Sequence, residues 1–377
     1  MKGNPMRLGF FTPLYMPDVG GAEILLDRLI RTLLARGHHV ALVAPAPRHC
    51  PGTPPPLPYP VIRTLRPFSK RCRLHFLPPL LFAHWRHRFD VIHCQDEFFA
   101  PPVARLFMRL TGVPYVVRAV GGGFDTLGNR PDLAGPVRRG LAGAASCIAQ
   151  GEFLHGQFIQ YGVEPRRIAT IHNGVAPEEV CVDGPAPRPP PYILYTGGLK
   201  RIKGYDLLLR AWARIRAAAA PVRLVIAGRD DELAHYRQLC AELQLQEGRD
   251  VEYAGTLGRR EVALHLRHAL FYVGPFRRAA FANANLEAMM AGLPLVVTAV
   301  DGNLQQVRDG VEGLLVPPDD PAALADAMLR FCRDAELRSR CAAAAAARAR
   351  REFTWEAMVD RYEALYASVA NRPGEGR

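Results

Sequence analysis

Residues 183–191 (DGPAPRPPP) constrain the fold more than any other stretch of the chain. Consecutive prolines keep a segment stiff and extended and give it almost no backbone donors, so neither a helix nor a central strand runs through it. Its flanks make it informative, because the chain opens in the same way on both sides. Residues 7–12 (RLGFFT) read as a short buried strand, followed by a loop holding Gly20 and Gly21. A helix follows over 24–36, with Leu25, Leu26, Leu29, Ile30, Leu33 and Leu34 at helical spacing. After the prolines, residues 193–196 read as a strand, 197–204 (GGLKRIKG) as a glycine-bearing loop and 205–217 as a helix. A chain of 377 residues has room for two such units.

Further short apolar runs at 39–43, 91–94, 115–120, 147–149 and 168–171 alternate with helical stretches at 103–110 and 152–160. The second half repeats this with strands at 223–227, 251–254, 271–273, 295–298 and 314–316 and helices at 232–243, 321–330, 335–352 and 355–369. Alternating strand and helix predicts parallel sheets covered on both faces. The expected fold is therefore α/β, two tandem Rossmann-like doubly wound parallel-sheet domains. Residues 1–185 and 186–354 form the domains, and 355–377 a terminal helix with a frayed tail. Ligand is expected in a cleft between the domains, at the carboxyl ends of the strands.

Chemistry concentrates at 275–294 (PFRRAAFANANLEAMMAGLP). Asn283, Ala284 and Asn285 read as a helix start, with Glu287 just inside it and Gly292 at its end. Free N–H groups at a helix start attract phosphate. Glu287 has a plainer reading as well, since the helix dipole alone favours a carboxylate there. In 197–204 three cations precede Gly204, and Lys203 stands at the mouth of the helix, where it meets a diphosphate or is simply solvated. No G-x-G-x-x-G and no G-x-x-x-x-G-K-[ST] occurs, so dinucleotide and ATP readings lack their fingerprints. Eight cysteines without a C-x-x-C pair read as reduced thiols, not metal ligands. No apolar run is long enough to span a bilayer, and the N-terminus lacks a secretory pattern.

The net charge of +12 is unevenly placed: residues 28–89 hold eleven Lys and Arg and no Asp or Glu. Such a field attracts anionic partners, or it reflects an arginine-rich composition on a solvated face. Residues 68–89 (FSKRCRLHFLPPLLFAHWRHRF) mix cations with aromatics as peripheral membrane segments do, although such residues also suit a core. No nucleic-acid-binding motif accompanies the charge.

Taken in order, several segments resemble the family 4 retaining glycosyltransferases, which have the two-domain architecture called GT-B. They are Gly20-Gly21-Ala22-Glu23, His172-Asn173-Gly174-Val175, the 197–204 loop, Asn285-Leu286-Glu287-Ala288-Met289, Ala291-Gly292-Leu293-Pro294 and Gly313-Leu314-Leu315-Val316-Pro317-Pro318. The resemblance implies transfer of a sugar from a nucleotide-diphosphate sugar to a glycan or lipid-linked acceptor, in cell-surface polysaccharide or glycolipid synthesis. It implies no metal and no cofactor beyond the co-substrate. Lys203 and Glu287 would carry catalysis, Lys203 on the diphosphate and Glu287 on the ribose hydroxyls. Gly20, Gly21, Asn173, Gly197, Gly198, Ala282, Asn283 and Ala284 would help hold the donor. The first domain would take the acceptor. The expected location is cytoplasmic and peripheral at the inner membrane face, with contact to anionic lipid through residues 61–89.

Four positions depart from the family pattern. Ala279 stands where the first Glu of a paired-glutamate motif is expected, and Gly198 where an Arg is expected, with Lys200, Arg201, Arg277 or Arg278 as substitutes. Val120 replaces a frequent His, and Asp301-Gly302-Asn303-Leu304-Gln305 a Gly-Gly-x-Pro-Glu. These departures support an alternative, a non-catalytic GT-B-fold binding protein. A sugar-nucleotide epimerase on the same fold would need acid and base side chains that the sequence does not offer.

Overall fold

A computed structural model describes residues 4–15, 21–46, 57–67, 74–121, 123–128, 131–189 and 191–371. The chain divides into two compact units, Met1–Ile171 with Val359–Arg377, and His172–Met358.

The first unit runs β1 (Arg7–Phe11), α1 (Gly21–Ala35), β2 (His39–Ala46), β3 (Val61–Pro67), α2 (Leu77–His87), β4 (Val91–Cys94), α3 (Ala100–Thr111) and β5 (Tyr115–Arg118). It continues with α4 (Gly123–Gly128), α5 (Ala134–Ala142), β6 (Ser146–Ala149), α6 (Glu152–Gln160) and β7 (Ile168–Thr170). Its sheet has the order β3-β2-β1-β4-β5-β6-β7, and every pairing is parallel. In the register, Leu8 on β1 faces Val40 on one side and Val91 on the other.

The second unit holds α7 (Pro177–Val180), β8 (Tyr192–Thr196), α8 (Tyr205–Ala219), β9 (Arg223–Ala227), α9 (Leu233–Glu242), β10 (Val251–Gly255) and α10 (Arg259–His268). Then come β11 (Tyr272–Gly274), α11 (Asn283–Met290), β12 (Leu295–Thr298), α12 (Asp301–Gln306), β13 (Gly313–Val316), α13 (Pro321–Arg333) and α14 (Ala335–Glu352). The sheet order is β10-β9-β8-β11-β12-β13, again parallel throughout. The strand direction of travel reverses between β8 and β11, so the loops after these two strands flank a crevice at their carboxyl ends.

Both faces of this sheet are covered, which is why its strands read as continuous apolar runs. Successive side chains of β8 point to opposite faces. Ile193 and Tyr195 join a cluster with Leu208, Trp212 and Ile226, while Tyr192 and Leu194 join Val225, Leu286 and Met289. Helix α8 thus covers one face and α11 the other.

The unit boundary falls at His172, and the proline-rich stretch lies inside the second unit. Residues on either side of the expected boundary are tied down there by specific contacts. Arg188 pairs with Glu252, the Gly184 carbonyl meets His268 at 3.0 Å, and Arg260 donates to the Asp183 carbonyl at 3.2 Å. The sequence also left 61–67 unassigned. These residues form β3, an edge strand on β2 that ends in Pro67, a position where a missing donor costs nothing.

Helix α15 (Trp355–Ala370) starts in the second unit and packs from Val359 onward in the first. There Arg36 pairs with Asp360 and Glu363 at 2.6 Å each, and Glu363 also meets His38 at 2.9 Å. Tyr366 holds the buried His93 through its hydroxyl at 2.8 Å. Burial depresses His93 to about 3, so this imidazole is neutral at ordinary pH.

Candidate functional site

The two loops flanking the β8–β11 crevice are bound to each other. Gly204, at φ +76°, lies so close to Pro275 that a Cβ would overlap the Pro275 carbonyl oxygen. Only glycine combines that left-handed conformation with that approach. The Arg277 amide donates to the Ile202 carbonyl at 3.1 Å, and the Arg277 guanidinium to the Arg201 carbonyl. The same guanidinium grips Asp206 with two bonds of 2.6 and 2.9 Å and meets Asp319 at 2.6 Å. Burial alone would raise the Asp206 carboxyl, but the Arg277 bonds and charge outweigh it and hold the group below its ordinary value. Arg277 is therefore consumed in joining the loops, which corrects its reading as a substitute phosphate ligand. Arg201 is exposed and also faces Asp206, at 3.9 Å.

Lys203 closes the first loop. Its ammonium lies 5.3 Å from the centre of the Phe276 ring, a cation–π distance that links it to the second loop. Among the described residues no carboxylate pairs with it. Burial, and secondarily the charge of Lys200, lowers its pKa, which marks an ammonium partly stripped of water and of counter-charge.

The second loop ends at α11. The helix is capped by Ala282, not by an asparagine, and no side chain caps it. Asn283 is the first helical residue, and its Oδ1 accepts a 2.7 Å bond from Asn173 Nδ2. Their side chains meet each other and fasten the 172–175 segment to the helix start. Phe281 is stacked on His172 at 4.8 Å, which reinforces the same junction. Ala282 and Ala284 rest against the two core clusters, which leaves the first-turn N–H groups as the polar feature at this end.

Beneath α11 lies a buried polar network that the sequence did not reveal. Asn285 Nδ2 donates to Asn303 Oδ1 and Gln306 Oε1, both at 2.9 Å. Asn303 donates to the Thr298 carbonyl at 2.8 Å, and Gln306 to the Ala282 carbonyl at 2.9 Å. So Asn303 and Gln306, in and beside the variant 301–305 segment, hold the loop in place from below. The Gly302 amide bonds to the Ala279 carbonyl at 2.8 Å, and the Ala279 side chain packs on the core. No acidic group stands at that position.

Glu287 sits one turn into α11, half-buried. Among the described residues no group donates a hydrogen bond to its carboxyl. Burial pushes it up to about 7; Arg259 opposes the rise and Glu179 adds to it. Its charge also reaches Tyr272, whose hydroxyl is 3.2 Å from the Thr196 carbonyl, immediately before Gly197. The carboxyl therefore borders the first loop as well as its own helix. Gly198 is flanked by two anchored residues: the Gly197 amide donates to the Ala227 carbonyl at the end of β9 at 2.8 Å, and the Leu199 amide to the Arg229 carbonyl just past it at 2.9 Å.

In the first unit, Gly21 opens α1, while Gly20 lies outside the described residues. The amides of Val120, Gly121 and Gly123 converge on the buried Glu97 carboxylate at 2.8, 3.2 and 2.7 Å. Val120 thus sits on a loop ordered by an internal anion. Among the described residues no group of three His, Cys, Asp or Glu is placed to hold a metal ion. No helix of the described residues is long and apolar enough to cross a membrane.

A helix start, a partly desolvated ammonium and a protonatable carboxyl, collected around one crevice, suit an anionic ligand that also carries hydroxyls. The chain is similar to known proteins along most of its length. Residues 19–179 match the model of Glycosyltransferase Family 4, and residues 190–334 that of Glycosyl transferases group 1. A D-inositol 3-phosphate glycosyltransferase from Frankia alni is 31% identical over 298 residues, 71% of this chain and 72% of that one. A phosphatidyl-myo-inositol mannosyltransferase from Mycobacterium leprae is 29% identical over 392 residues, 97% of each chain. The fold matches that of HepE from Anabaena, solved in complex with UDP and glucose. The TM-score is 0.75 at 19% identity, over 96% of this chain and 100% of that one.

Proposed function

Since the chain belongs to the family 4 glycosyltransferases of GT-B fold, we propose that it transfers a hexosyl group from a nucleoside-diphosphate sugar. The acceptor is a glycan or a lipid-linked molecule, in cell-surface polysaccharide or glycolipid synthesis. The relatives named for inositol phosphates make a phosphorylated polyol the first acceptor to test. One observation supports the site most strongly: Glu287 is half-buried at a helix start with no internal hydrogen-bond donor, beside a loop that ends in Lys203. In this reading the diphosphate lies over the α11 N-terminus and Lys203, and the ribose hydroxyls donate to Glu287. Transfer is retaining and needs no metal. Lys203 and the helix dipole stabilise the departing diphosphate, as preorganised charge does in a site closed to water.

A thermal-shift panel of UDP-, GDP- and ADP-sugars tests this. The correct donor, at about a hundred times its Kd, stabilises the protein by roughly 2.7 kcal/mol. The pH dependence is specific. Ribose hydroxyls favour the ionised carboxyl, so donor binding lowers the pKa of Glu287 and releases a proton where the free group is protonated. Affinity therefore rises with pH up to about 7 and flattens above it. Glu287→Gln should bind more weakly and lose this rise; an unchanged pH profile would place the ribose elsewhere.

The second reading, a donor-binding protein without transfer, is favoured by the core-packed Ala279. Donor binding without turnover of any acceptor would decide for it.

We further propose peripheral membrane contact, carried by α2 and its flanks. Phe82 and Trp85 are 55% and 63% exposed, 6.1 Å apart between ring centres, with exposed Arg86 and Arg88 beside them. Residues 61–67 of the expected segment belong to the sheet edge, and 68–73 lie outside the described residues. Flotation with vesicles of 30% phosphatidylserine should carry the wild type and leave Phe82→Ser, Trp85→Ser behind. Equal flotation with neutral vesicles refutes an electrostatic share.

A further inference from the structure

Lys203 is one cation beside the crevice, and the neighbouring loops carry others. Arg277 is bound to Asp206 and Asp319, and Arg201 shares Asp206. The loop after β9 offers another cation. Gly228 is pressed against the Gly197 carbonyl, closely enough that a Cβ would overlap it, and Leu199 bonds to the carbonyl of Arg229 at 2.9 Å. Arg229 and Gly198 are thus neighbours across two loops. A Cβ on Gly198 would stand 3.9 Å from the Arg229 Cβ and 2.6 Å from Asp231 Oδ2. Asp231 faces two cations at once, Arg229 Nε at 3.7 Å and Lys200 Nζ at 3.6 Å. Both distances exceed a hydrogen bond, so neither cation is firmly held. The Arg229 side chain is 61% exposed.

We propose that Arg229 is the second cation of the donor site. Its guanidinium reaches the diphosphate across the position that Gly198 leaves without a side chain. Asp231 is the internal anion that keeps Arg229 and Lys200 beside that gap until phosphate oxygens displace it. A planar guanidinium binds phosphate through two parallel bonds, which a carboxylate at 3.7 Å does not match. A side chain at position 198 would only require the mobile end of Asp231 to move, since a Cβ there would stand 2.6 Å from Asp231 Oδ2. This inference rests on the donor site proposed above.

Calorimetric titration of UDP and GDP, beside ligand-detected NMR of uridine and guanosine, separates the two ideas. For whichever base binds, Arg229→Ala should weaken the diphosphate roughly tenfold or more and the nucleoside less than twofold. It should also flatten the salt dependence of the diphosphate, while Arg229→Lys recovers only part of the loss. Asp231→Asn should tighten the diphosphate several-fold. If Lys203→Ala weakens the diphosphate and Arg229→Ala does not, the role of Arg229 is refuted and the donor site stands. If neither variant changes the diphosphate-to-nucleoside ratio, the donor site itself is refuted. Tightening absent in Asp231→Asn refutes the displaced anion. Because Arg229 is exposed, its variants should melt with the wild type.

Discussion

Lys203→Ala should reduce kcat/KM for sugar transfer by roughly 10²–10³, the usual cost of deleting one preorganised charge from a developing anion. The expectation follows from what surrounds the ammonium. It lies over the Phe276 ring, has no carboxylate partner among the described residues, and has a pKa lowered first by burial and then by Lys200. A cation held in this way gains most when an anion arrives beside it. The anion carries most charge as the bond to the sugar breaks, so kcat should fall more than KM rises. Lys203→Arg should restore part of the loss, because a guanidinium keeps the charge over the Phe276 ring but presents a planar fork in place of a compact ammonium. Steady-state kinetics with the donor chosen by the thermal-shift panel checks this. A loss confined to KM would make Lys203 a ground-state phosphate ligand and nothing more.

Much of the fold was legible because parallel sheets with two covered faces write themselves as apolar runs. Residues 193–196 and 295–298 are examples, and the restart after residue 191 announced the second sheet. The edge strand β3 was not legible. Val61–Pro67 mixes apolar residues with Arg63, Thr64 and Arg66 without regular alternation and ends in proline, a pattern shared with loops. The unit boundary was misplaced because proline content signals stiffness, whereas Arg188, Gly184 and Asp183 are bound by partners some 64 to 84 positions away. In the site, Lys203 and Glu287 were visible through helix-start chemistry. The side-chain partners of Asn173, Asn283 and Arg277 were not, since a side chain that binds ligand and one that binds another loop have the same sequence signature. Asn285, Asn303 and Gln306 were hidden for a similar reason: a buried amide network is a property of three elements meeting. Arg229 had no motif of its own; only its proximity to Gly198 singles it out.

The same guanidinium that sequence reading offered to phosphate now carries the largest stability expectation. Arg277→Ala should destabilise the second unit by about 3 kcal/mol, lowering its melting temperature by roughly 6–12 °C. Asp206 is only 4% exposed and depends on Arg277 for two bonds, so the variant strands a buried carboxylate. It also frees Asp319 and the Arg201 carbonyl, which the guanidinium joins to the same point. Arg277→Lys should recover less than half, because an ammonium cannot make the paired bonds to Asp206. The sign with pH is fixed by the lowered Asp206 value. A carboxyl held below its unfolded value of 3.8 contributes fully above that pH and loses its contribution as pH falls through the folded value. Without Arg277, burial raises the Asp206 carboxyl, so the gap between wild type and Arg277→Ala should be widest near neutral pH and narrow between pH 8 and pH 3 as that carboxyl takes up a proton. Adding Asp206→Ala to Arg277→Ala should return part of the lost stability, since it removes the stranded charge. Calorimetric melts of the four proteins across that range measure all of this. A variant within about 1 kcal/mol of wild type at pH 7 would show that the two loops hold together through Gly204 and Pro275 alone.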